Sequence, residues 1–280
     1  MIVFKLAEAL KNHLERAKKD GKKIGFVPTM GALHEGHISL IHTSRSENDL
    51  TVCSIFINPT QFNNPEDFRL YPVTIEDDIE KLVASGCDVL FLPSVPEIYP
   101  GGSVQKVYEL GPIESVLEGF YRPGHFQGVC QVVDRLLDIV IPDHLYMGQK
   151  DFQQCMVVKK MLEITGKEKV LKLVINPTIR EADGLAMSSR NLRLNKEEKA
   201  LATSIYNELS TIKARLKSEP LERLKKRAEE HLKEKGFSID YVEIARASDL
   251  GTATETNQPL VALVAASIGQ IRLIDNMLLN

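Results

Sequence analysis

Buried strand-like runs alternate with helical segments over the first 176 residues, and this alternation constrains the fold more than any other feature of the sequence. After an amphipathic first helix that ends near Gly21, the apolar run Ile24–Val27 predicts a strand that Pro28 stops. A capping box at Thr74–Asp77 predicts the start of a helix that Gly86 closes. Further strands are predicted at Leu50–Ile57, Val89–Leu92, His144–Met147 and Val170–Ile175, and further helices at His37–Asn48, Phe126–Val140 and Asp151–Ile164. Repeated units of this kind predict a doubly wound, Rossmann-like parallel α/β sheet, with ligands at the carboxyl ends of its strands.

The character of the sequence changes beyond about Arg190. Two long helices rich in Lys and Glu are predicted at Asn195–Lys217 and Glu219–Lys235. They are followed by three strand-like runs, at Tyr241–Ala245, Leu260–Ala265 and Ile271–Ile274. We therefore expect a second, smaller α+β domain, with the boundary near Asn176–Pro177, which divides the chain into residues 1–176 and 177–280.

Composition narrows the class of protein. The chain has 280 residues, a formal net charge of -3 and a pI near 6.2, so no overall basic field is present to gather nucleic acid. Its four cysteines form no C-x-x-C pair, which favours buried thiols in a reducing compartment over zinc or dithiol sites. The N-terminal segment is too highly charged for a signal peptide, and no run of 18 apolar residues is present. We expect a cytoplasmic protein that binds neither nucleic acid nor membrane.

The segment Pro28–His37, PTMGALHEGH, lies where the first predicted strand turns into a helix. His34 and His37 are three residues apart at the first helical turn and therefore share one face. A helix N-terminus attracts phosphate, glycines let the backbone approach a nucleotide, and imidazoles can donate hydrogen bonds to phosphate oxygens. Two capping or partly buried histidines, or a metal site, are the alternatives. The agreement of strand, glycine-bearing turn and helix favours phosphate binding.

A second strand-to-helix turn, Met147–Gln154, carries Lys150. A lysine at a strand's end can neutralise α-phosphate charge during an in-line attack. The alternative is a solvated lysine, which is less favourable because a cation opposes the dipole at a helix N-terminus. Asp151 could cap the helix, hold a ribose or position Lys150.

Two loops complete the set of candidate elements. The segment Arg180–Asn191 places Ser188 and Ser189 beside a guanidinium, which forms a compact group of donors for phosphate oxygens. Alone it would be read as a polar surface loop. In the segment Phe56–Phe62, Gln61 offers both an acceptor and donors for hydroxyl and carboxylate groups, although an Asn-Pro loop of this kind is common.

Together the two histidines and the segment Met187–Asn191 resemble the two signature sequences of the nucleotidylyltransferase superfamily. With Asn58–Phe62, Lys150–Gln154 and Tyr121–Phe126 added, the chain closely resembles the pantothenate synthetase (pantoate–β-alanine ligase) family. The resemblance runs from about Ile24 to Asn191 and continues weakly through the C-terminal region. Two departures stand out, since the family usually has Glu at Gln149 and Arg at Val73.

The resemblance implies a ligase that uses ATP to condense (R)-pantoate with β-alanine through a pantoyl adenylate, releasing pyrophosphate and then AMP. It implies a catalytic group of His37, His34, Lys150, Ser188, Ser189 and Arg190. It implies ATP contacts from Met30, Gly31, Ala32, Leu33, His34, Glu35, Gly36, His37, Gly148, Gln149, Lys150, Asp151, Ile179, Met187, Ser188, Ser189 and Arg190. Gln61 and Gln154 would bind pantoate, and Gln61 would also border the path of β-alanine.

The same resemblance implies Mg²⁺ carried on the ATP phosphates, with Asp77 and Asp78 as candidate outer partners, a C-terminal lid and a homodimer. The chemistry fits the residues, because adenylation gives a carboxylate a good leaving group and no cysteine or serine has a triad-like setting. Two rival functions remain open at this point. One is an adenylyl or cytidylyl transferase that releases a nucleotide-linked product, and the other is a silent relative that binds RNA or senses nucleotide.

Overall fold

In the computed structural model, which describes residues 1–102 and 106–280, six parallel strands form the larger sheet in the order β1-β4-β3-β2-β5-β6. These strands are β1 (Ile2–Phe4), β2 (Ile24–Thr29), β3 (Leu50–Ile55), β4 (Val89–Phe91), β5 (His144–Gly148) and β6 (Lys172–Asn176). The helices between them are α1 (Ala7–Lys19), α2 (Glu35–Glu47), α3 (Pro65–Arg69), α4 (Ile75–Ala84), α5 (Val95–Ile98), α6 (Glu118–Tyr121), α7 (His125–Val140) and α8 (Phe152–Thr165). Apolar clusters cover both faces of the sheet, as a fully buried parallel sheet requires.

The strand order changes direction between β2 and β5. From β2 the sheet grows through β3 and β4 to β1, whereas from β5 it grows the other way to β6. Such a switch point leaves a crevice at the carboxyl ends of the two strands, and ligands bind there in open α/β sheets. The predicted doubly wound α/β fold is confirmed.

The C-terminal part forms a separate three-stranded antiparallel sheet. Helices α9 (Lys196–Arg215) and α10 (Leu221–Glu234) precede β7 (Ser238–Arg246), β8 (Leu260–Ile268) and β9 (Ile271–Leu278), and the strand order is β7-β8-β9. One apolar cluster joins the two helices to this sheet. A smaller cluster, around Leu263 and Val261, packs the other face of the sheet against Phe152 and Met156 of α8.

Two local predictions were wrong, and one strand was not predicted. A short strand, β1, precedes the first helix and pairs in parallel with β4. Pro28 does not stop β2, which continues to Thr29 beside β3. On its other edge β2 pairs with β5 at Gly25 and Phe26, before Pro28 is reached, so the missing N–H of Pro28 costs no hydrogen bond to β5. Helix α4 begins as predicted, but Thr74 makes no capping bond, and its hydroxyl lies 3.2 Å from Asp78 Oδ1. The other predicted elements are present, with ends displaced by a few residues.

The four cysteines are buried and free, as the sequence predicts. No helix within the described ranges is long and apolar enough to cross a membrane.

Candidate active site

A cavity lies at the switch point, over the carboxyl ends of β2 and β5. Fourteen of the predicted site residues, drawn from five separate segments, line it: Met30, His34, Gly36, His37, Gln61, Gly148, Lys150, Asp151, Gln154, Ile179, Met187, Ser188, Ser189 and Arg190. The other five predicted nucleotide contacts, Gly31, Ala32, Leu33, Glu35 and Gln149, are not part of its lining. The structure therefore brings together segments that are more than 150 residues apart in the chain.

The segment Met30–His37, called the histidine turn below, is anchored by a buried carboxylate. Asp78 of α4 accepts hydrogen bonds from the backbone N–H of Ala32 at 2.9 Å and of Leu33 at 2.7 Å. Gly31 has a φ of +81°, and a Cβ there would lie 3.0 Å from Asp78 Oδ2, which accounts for the glycine. Asp78 thus fixes the turn from behind.

The two histidines of this turn have their tautomers set by backbone donors. His34 Nδ1 accepts from Gly36 N at 3.1 Å and so caps α2, while His37 Nδ1 accepts from His34 N at 3.3 Å. A neutral imidazole whose Nδ1 accepts carries its proton on Nε2. The ring centroids are 4.0 Å apart and the ring planes are inclined by 35°, so the two rings face each other at an angle.

Both imidazoles are held neutral. Burial, followed by the charges of Lys150 and Lys81, lowers the pKa of His37 to about 4. Burial, followed by His37 and Lys150, lowers the pKa of His34 to about 2. At neutral pH each ring is therefore an uncharged hydrogen-bond donor through its Nε2 atom, which suits contact with phosphate oxygens.

Lys150 lies in a short 3₁₀ turn, Gln149–Asp151, called the lysine turn below, between β5 and α8. Its Nζ is 3.6 Å from Asp151 Oδ1, and its side chain is only 17% exposed. Asp151 makes no capping bond to α8, so of its three predicted roles the capping one is wrong and the position beside Lys150 is observed. Asn276 of β9 donates to the backbone oxygens of both Gln149 and Lys150.

The segment Met187–Asn191, called the serine loop below, is held by contacts far away in sequence. Ser189 Oγ donates to Ala32 O at 3.0 Å, which joins the loop to the histidine turn. Ser188 Oγ accepts from Arg190 N at 3.3 Å. The guanidinium of Arg190 pairs with Asp67 of α3, with 2.7 Å between Nη2 and Oδ2. Two of the predicted phosphate donors are therefore already engaged with protein groups.

Gln61 faces the cavity from the loop after β3. Asn58, which is fully buried, donates from Nδ2 to Gln61 Oε1 at 3.2 Å, while Gln61 Nε2 lies 3.0 Å from Met30 Sδ. His125 Nδ1 is 2.8 Å from Gln61 O, and burial followed by the charge of Arg122 lowers the pKa of His125 to about 4. An uncharged amide held in this way presents fixed polarity to a ligand.

Sequence reasoning missed several residues that shape the site. Arg122 lines the cavity, 3.6 Å from the buried Glu118, and the Tyr121–Phe126 motif that contains it was the available signal. Asn58 lies inside the motif that was noted for Gln61. Asp67 and Asn276 carried no local signal, because their contacts lie 123 and about 126 residues away in the chain.

The candidate magnesium contacts lie elsewhere. The carboxylate of Asp78 already accepts hydrogen bonds from the backbone of the histidine turn. Asp77 is exposed on α4 and does not line the cavity. Over residues 1–102 and 106–280, no group of three or more His, Cys, Asp or Glu side chains is arranged to hold a metal ion. Of the three carboxylates that line the cavity, Glu118 and Asp275 are each bound by an arginine, and Asp151 lies beside Lys150.

The switch-point cavity, with its neutral histidine donors, lysine turn and serine loop, defines an α/β enzyme of the nucleotide-binding class. Comparison with known proteins is specific about which one. The family model described as pantoate-beta-alanine ligase matches residues 2–278, and the chain belongs to this family.

Curated relatives match over their full length. A pantothenate synthetase of Cytophaga hutchinsonii is 42% identical over 284 residues, covering 100% of this chain and 99% of that protein. One from Porphyromonas gingivalis is 42% identical over 280 residues, covering 99% of each chain.

Solved structures agree. The pantothenate synthetase of Thermus thermophilus superposes with a TM-score of 0.93 at 38% identity, covering 99% of both chains. The pantoate-beta-alanine ligase of Francisella tularensis, complexed with beta-gamma ATP and beta-alanine, superposes with a TM-score of 0.82 at 38% identity, covering 99% of this chain and 97% of that one.

Proposed function

We propose that this chain condenses (R)-pantoate with β-alanine in a reaction driven by ATP, forming pantothenate through a pantoyl adenylate. The observation that supports this most strongly is the convergence of His34, His37, Lys150 and the serine loop on the cavity that Gln61 and Gln154 also line. The family membership and the ATP and β-alanine bound by the Francisella relative point the same way.

In the first step, a carboxylate oxygen of pantoate attacks the α-phosphorus of ATP, and pyrophosphate leaves. Like charges must approach one another, so the protein has to neutralise charge without supplying a nucleophile. Lys150 provides a fixed cation at the end of β5, and the Nε2–H groups of His34 and His37 donate to phosphate oxygens. Arg190 adds a second cation once the triphosphate displaces Asp67.

In the second step, the amine of β-alanine attacks the acyl carbon of the adenylate, and AMP leaves with the bonding electrons. The amine proton passes to solvent or to a phosphate oxygen. The uncharged amides of Gln61 and Gln154 would hold the pantoyl group by hydrogen bonds, leaving its carbonyl free to react.

Magnesium would arrive with the triphosphate and neutralise part of its charge while it is bound. Glu118 and Asp275 of the cavity are paired with arginines, so the phosphates would supply most of the oxygen ligands of the ion, as is usual for Mg²⁺. We further propose that residues 177–280 act as a lid that shields the adenylate from water, and that the protein is a cytoplasmic homodimer acting only on small molecules.

A two-stage assay tests the function. With Mg·ATP and pantoate alone we expect stoichiometric pyrophosphate release, and on adding β-alanine we expect equal amounts of AMP and pantothenate. A stable nucleotide-linked product, or no dependence on pantoate, would contradict the proposal and favour the rival transferase. Tight binding of labelled RNA at physiological salt, without turnover, would favour the silent relative.

A substitution of Gln61 tests the pantoate side of the cavity. Replacing Gln61→Ala should raise the KM for pantoate about 10-fold and leave the KM for ATP nearly unchanged, because one or two hydrogen bonds to the acid are lost. Gln131→Ala on α7 is the matched control, since Gln131 lies outside the cavity and, among the residues that the structure describes, its side chain bonds to Lys106 O alone, at 3.4 Å. Equal effects of the two substitutions on pantoate would remove Gln61 from the site.

A further inference from the structure

Strand β9 of the C-terminal sheet carries two adjacent buried polar residues that hold two different loops of the cavity. Asn276 is 2% exposed and Asp275 is 5% exposed. Asp275 accepts hydrogen bonds from both terminal guanidinium nitrogens of Arg180, from Nη1 at 2.6 Å and from Nη2 at 3.0 Å. Arg180 in turn pairs with Ala186 in a β-bridge at the base of the serine loop, so the strand is fixed relative to that loop.

Asn276 holds the lysine turn. Its Nδ2 donates to Gln149 O at 2.9 Å and to Lys150 O at 2.8 Å, and its Oδ1 accepts from Gln149 Nε2 at 3.3 Å. The two carbonyls belong to the peptide groups on either side of the Lys150 Cα. One amide therefore fixes both peptides from which the Lys150 side chain projects.

This arrangement controls the direction of a cation. Asp151 lies beside the ammonium group and does not hold the backbone, with 3.6 Å between Lys150 Nζ and Asp151 Oδ1. A reacting group that is displaced by about 1 Å can lose about 100-fold in rate. The backbone of the turn must therefore be held for the cation to meet the α-phosphate.

We propose that Asn276 is a positioning residue for Lys150 in the adenylation step. The C-terminal sheet then does more than cover the cavity, because it sets the geometry of a catalytic cation that the parallel sheet carries. This inference rests on the proposed function. It adds a role for Asn276, a residue that lies far along the sequence from every recognised motif.

A double-mutant cycle tests the coupling. We expect Asn276→Ala to lower the rate constant of pyrophosphate release, with Mg·ATP and pantoate in excess, by about 10- to 100-fold. In a Lys150→Ala background the same substitution should change the rate by less than about 3-fold, because there is no cation left to position. The dissociation constant of Mg·ATP, measured by calorimetry in the four proteins, gives the same cycle where turnover is too slow to follow.

Asn280→Ala is the matched control. Asn280 also donates from Nδ2 to two backbone oxygens of the C-terminal region, Thr256 O at 3.0 Å and Gln258 O at 2.8 Å, but it is exposed and outside the cavity. Its rate of pyrophosphate release should stay within about 2-fold of the wild type, as expected for a surface substitution.

Equal losses from Asn276→Ala in both backgrounds, or no loss in either, would overturn the positioning role. If the alanine variant does not fold, Asn276→Ser keeps a donor and should show the same dependence on Lys150 with a smaller loss. Failure of the wild type to release pyrophosphate from ATP and pantoate would instead disprove the proposed function, so the two failures are distinguishable.

Discussion

The histidine turn and the serine loop face the same cavity but are held in opposite ways. The histidine turn follows β2 directly and is fixed by a buried carboxylate, Asp78, that binds its backbone. The serine loop is held through its own side chains instead of its backbone. Ser189 donates to Ala32 O, and Arg190 pairs with Asp67. Backbone anchoring gives a preformed donor site, whereas the Arg190 ion pair is one that phosphate can replace. Damage to the histidine turn should therefore appear in rate and stability, and damage to the serine loop in ATP affinity.

The largest effect should come from removing a donor of the histidine turn. His37→Ala should lower the rate of pyrophosphate release by about 100- to 1000-fold, the usual range for a positioned side chain that acts on a reacting group. His42→Ala, an exposed histidine of the same helix, should leave the rate unchanged. Comparable rates for the two variants would show that the turn does not touch the triphosphate.

The anchor of the turn should matter for the fold itself. Asp78→Ala leaves the N–H groups of Ala32 and Leu33 without their acceptor, and should lower the free energy of unfolding by about 2–3 kcal/mol in urea titrations. Glu80→Ala, at an exposed position of the same helix, should cost less than about 0.5 kcal/mol. Similar costs for both would mean that the turn is not anchored from α4.

Acid should lower the free energy of unfolding through His37 of the same turn. The pKa of His37 is lowered from 6.5 to about 4 by burial and by Lys150, so the unfolded chain takes up a proton first as the pH falls. The stability that neutral His37 contributes is present above pH 6.5 and is lost progressively toward pH 4. Between about pH 7.5 and pH 5, wild type should lose up to about 2 kcal/mol more than His37→Asn, as measured by urea unfolding. Parallel curves for the two proteins would contradict a neutral, buried His37.

The serine loop should give the smallest effect. Asp67→Asn removes the carboxylate that pairs with Arg190 and Arg193, a partly exposed interaction worth no more than about 1 kcal/mol. It should lower the KM for ATP about 3-fold, because the triphosphate no longer has to displace Asp67 from Arg190. Glu66→Gln, which breaks the surface pair with Arg69, is the matched control. A larger change in rate than in KM would show that Asp67 acts on chemistry.

The sequence predicted the parallel sheet and fourteen of the residues that line the cavity, because those features are local. Apolar runs, glycine-bearing turns and the order of elements are all written within short windows, and strand ends of a parallel sheet meet at one edge. The histidines, Lys150 and Gln61 each follow a strand, so locating the strands located them.

Residues whose contacts are long-range could not be found in this way. Asp67 and Asn276 act on loops that lie more than 120 residues away, and nothing in their own neighbourhoods marks them. Asp78 was noted as a candidate for magnesium, but its burial against the N–H groups of Ala32 and Leu33 became visible only in three dimensions. Charge and spacing alone do not tell a ligand-facing carboxylate from one that holds a loop.

The rates at which the four buried thiols react with alkylating reagents measure local opening of the structure. Burial raises the pKa of Cys53, Cys87, Cys130 and Cys155 well above the ordinary value, so alkylating reagents must wait for the surrounding structure to separate. Cys155 lies at the start of α8 with its Sγ 3.4 Å from Gly148 O, next to the lysine turn. The alkylation rate of Cys155 therefore measures how often the structure around the lysine turn opens. The alkylation rate of Cys87, which packs near α4, measures opening on the opposite face of the sheet.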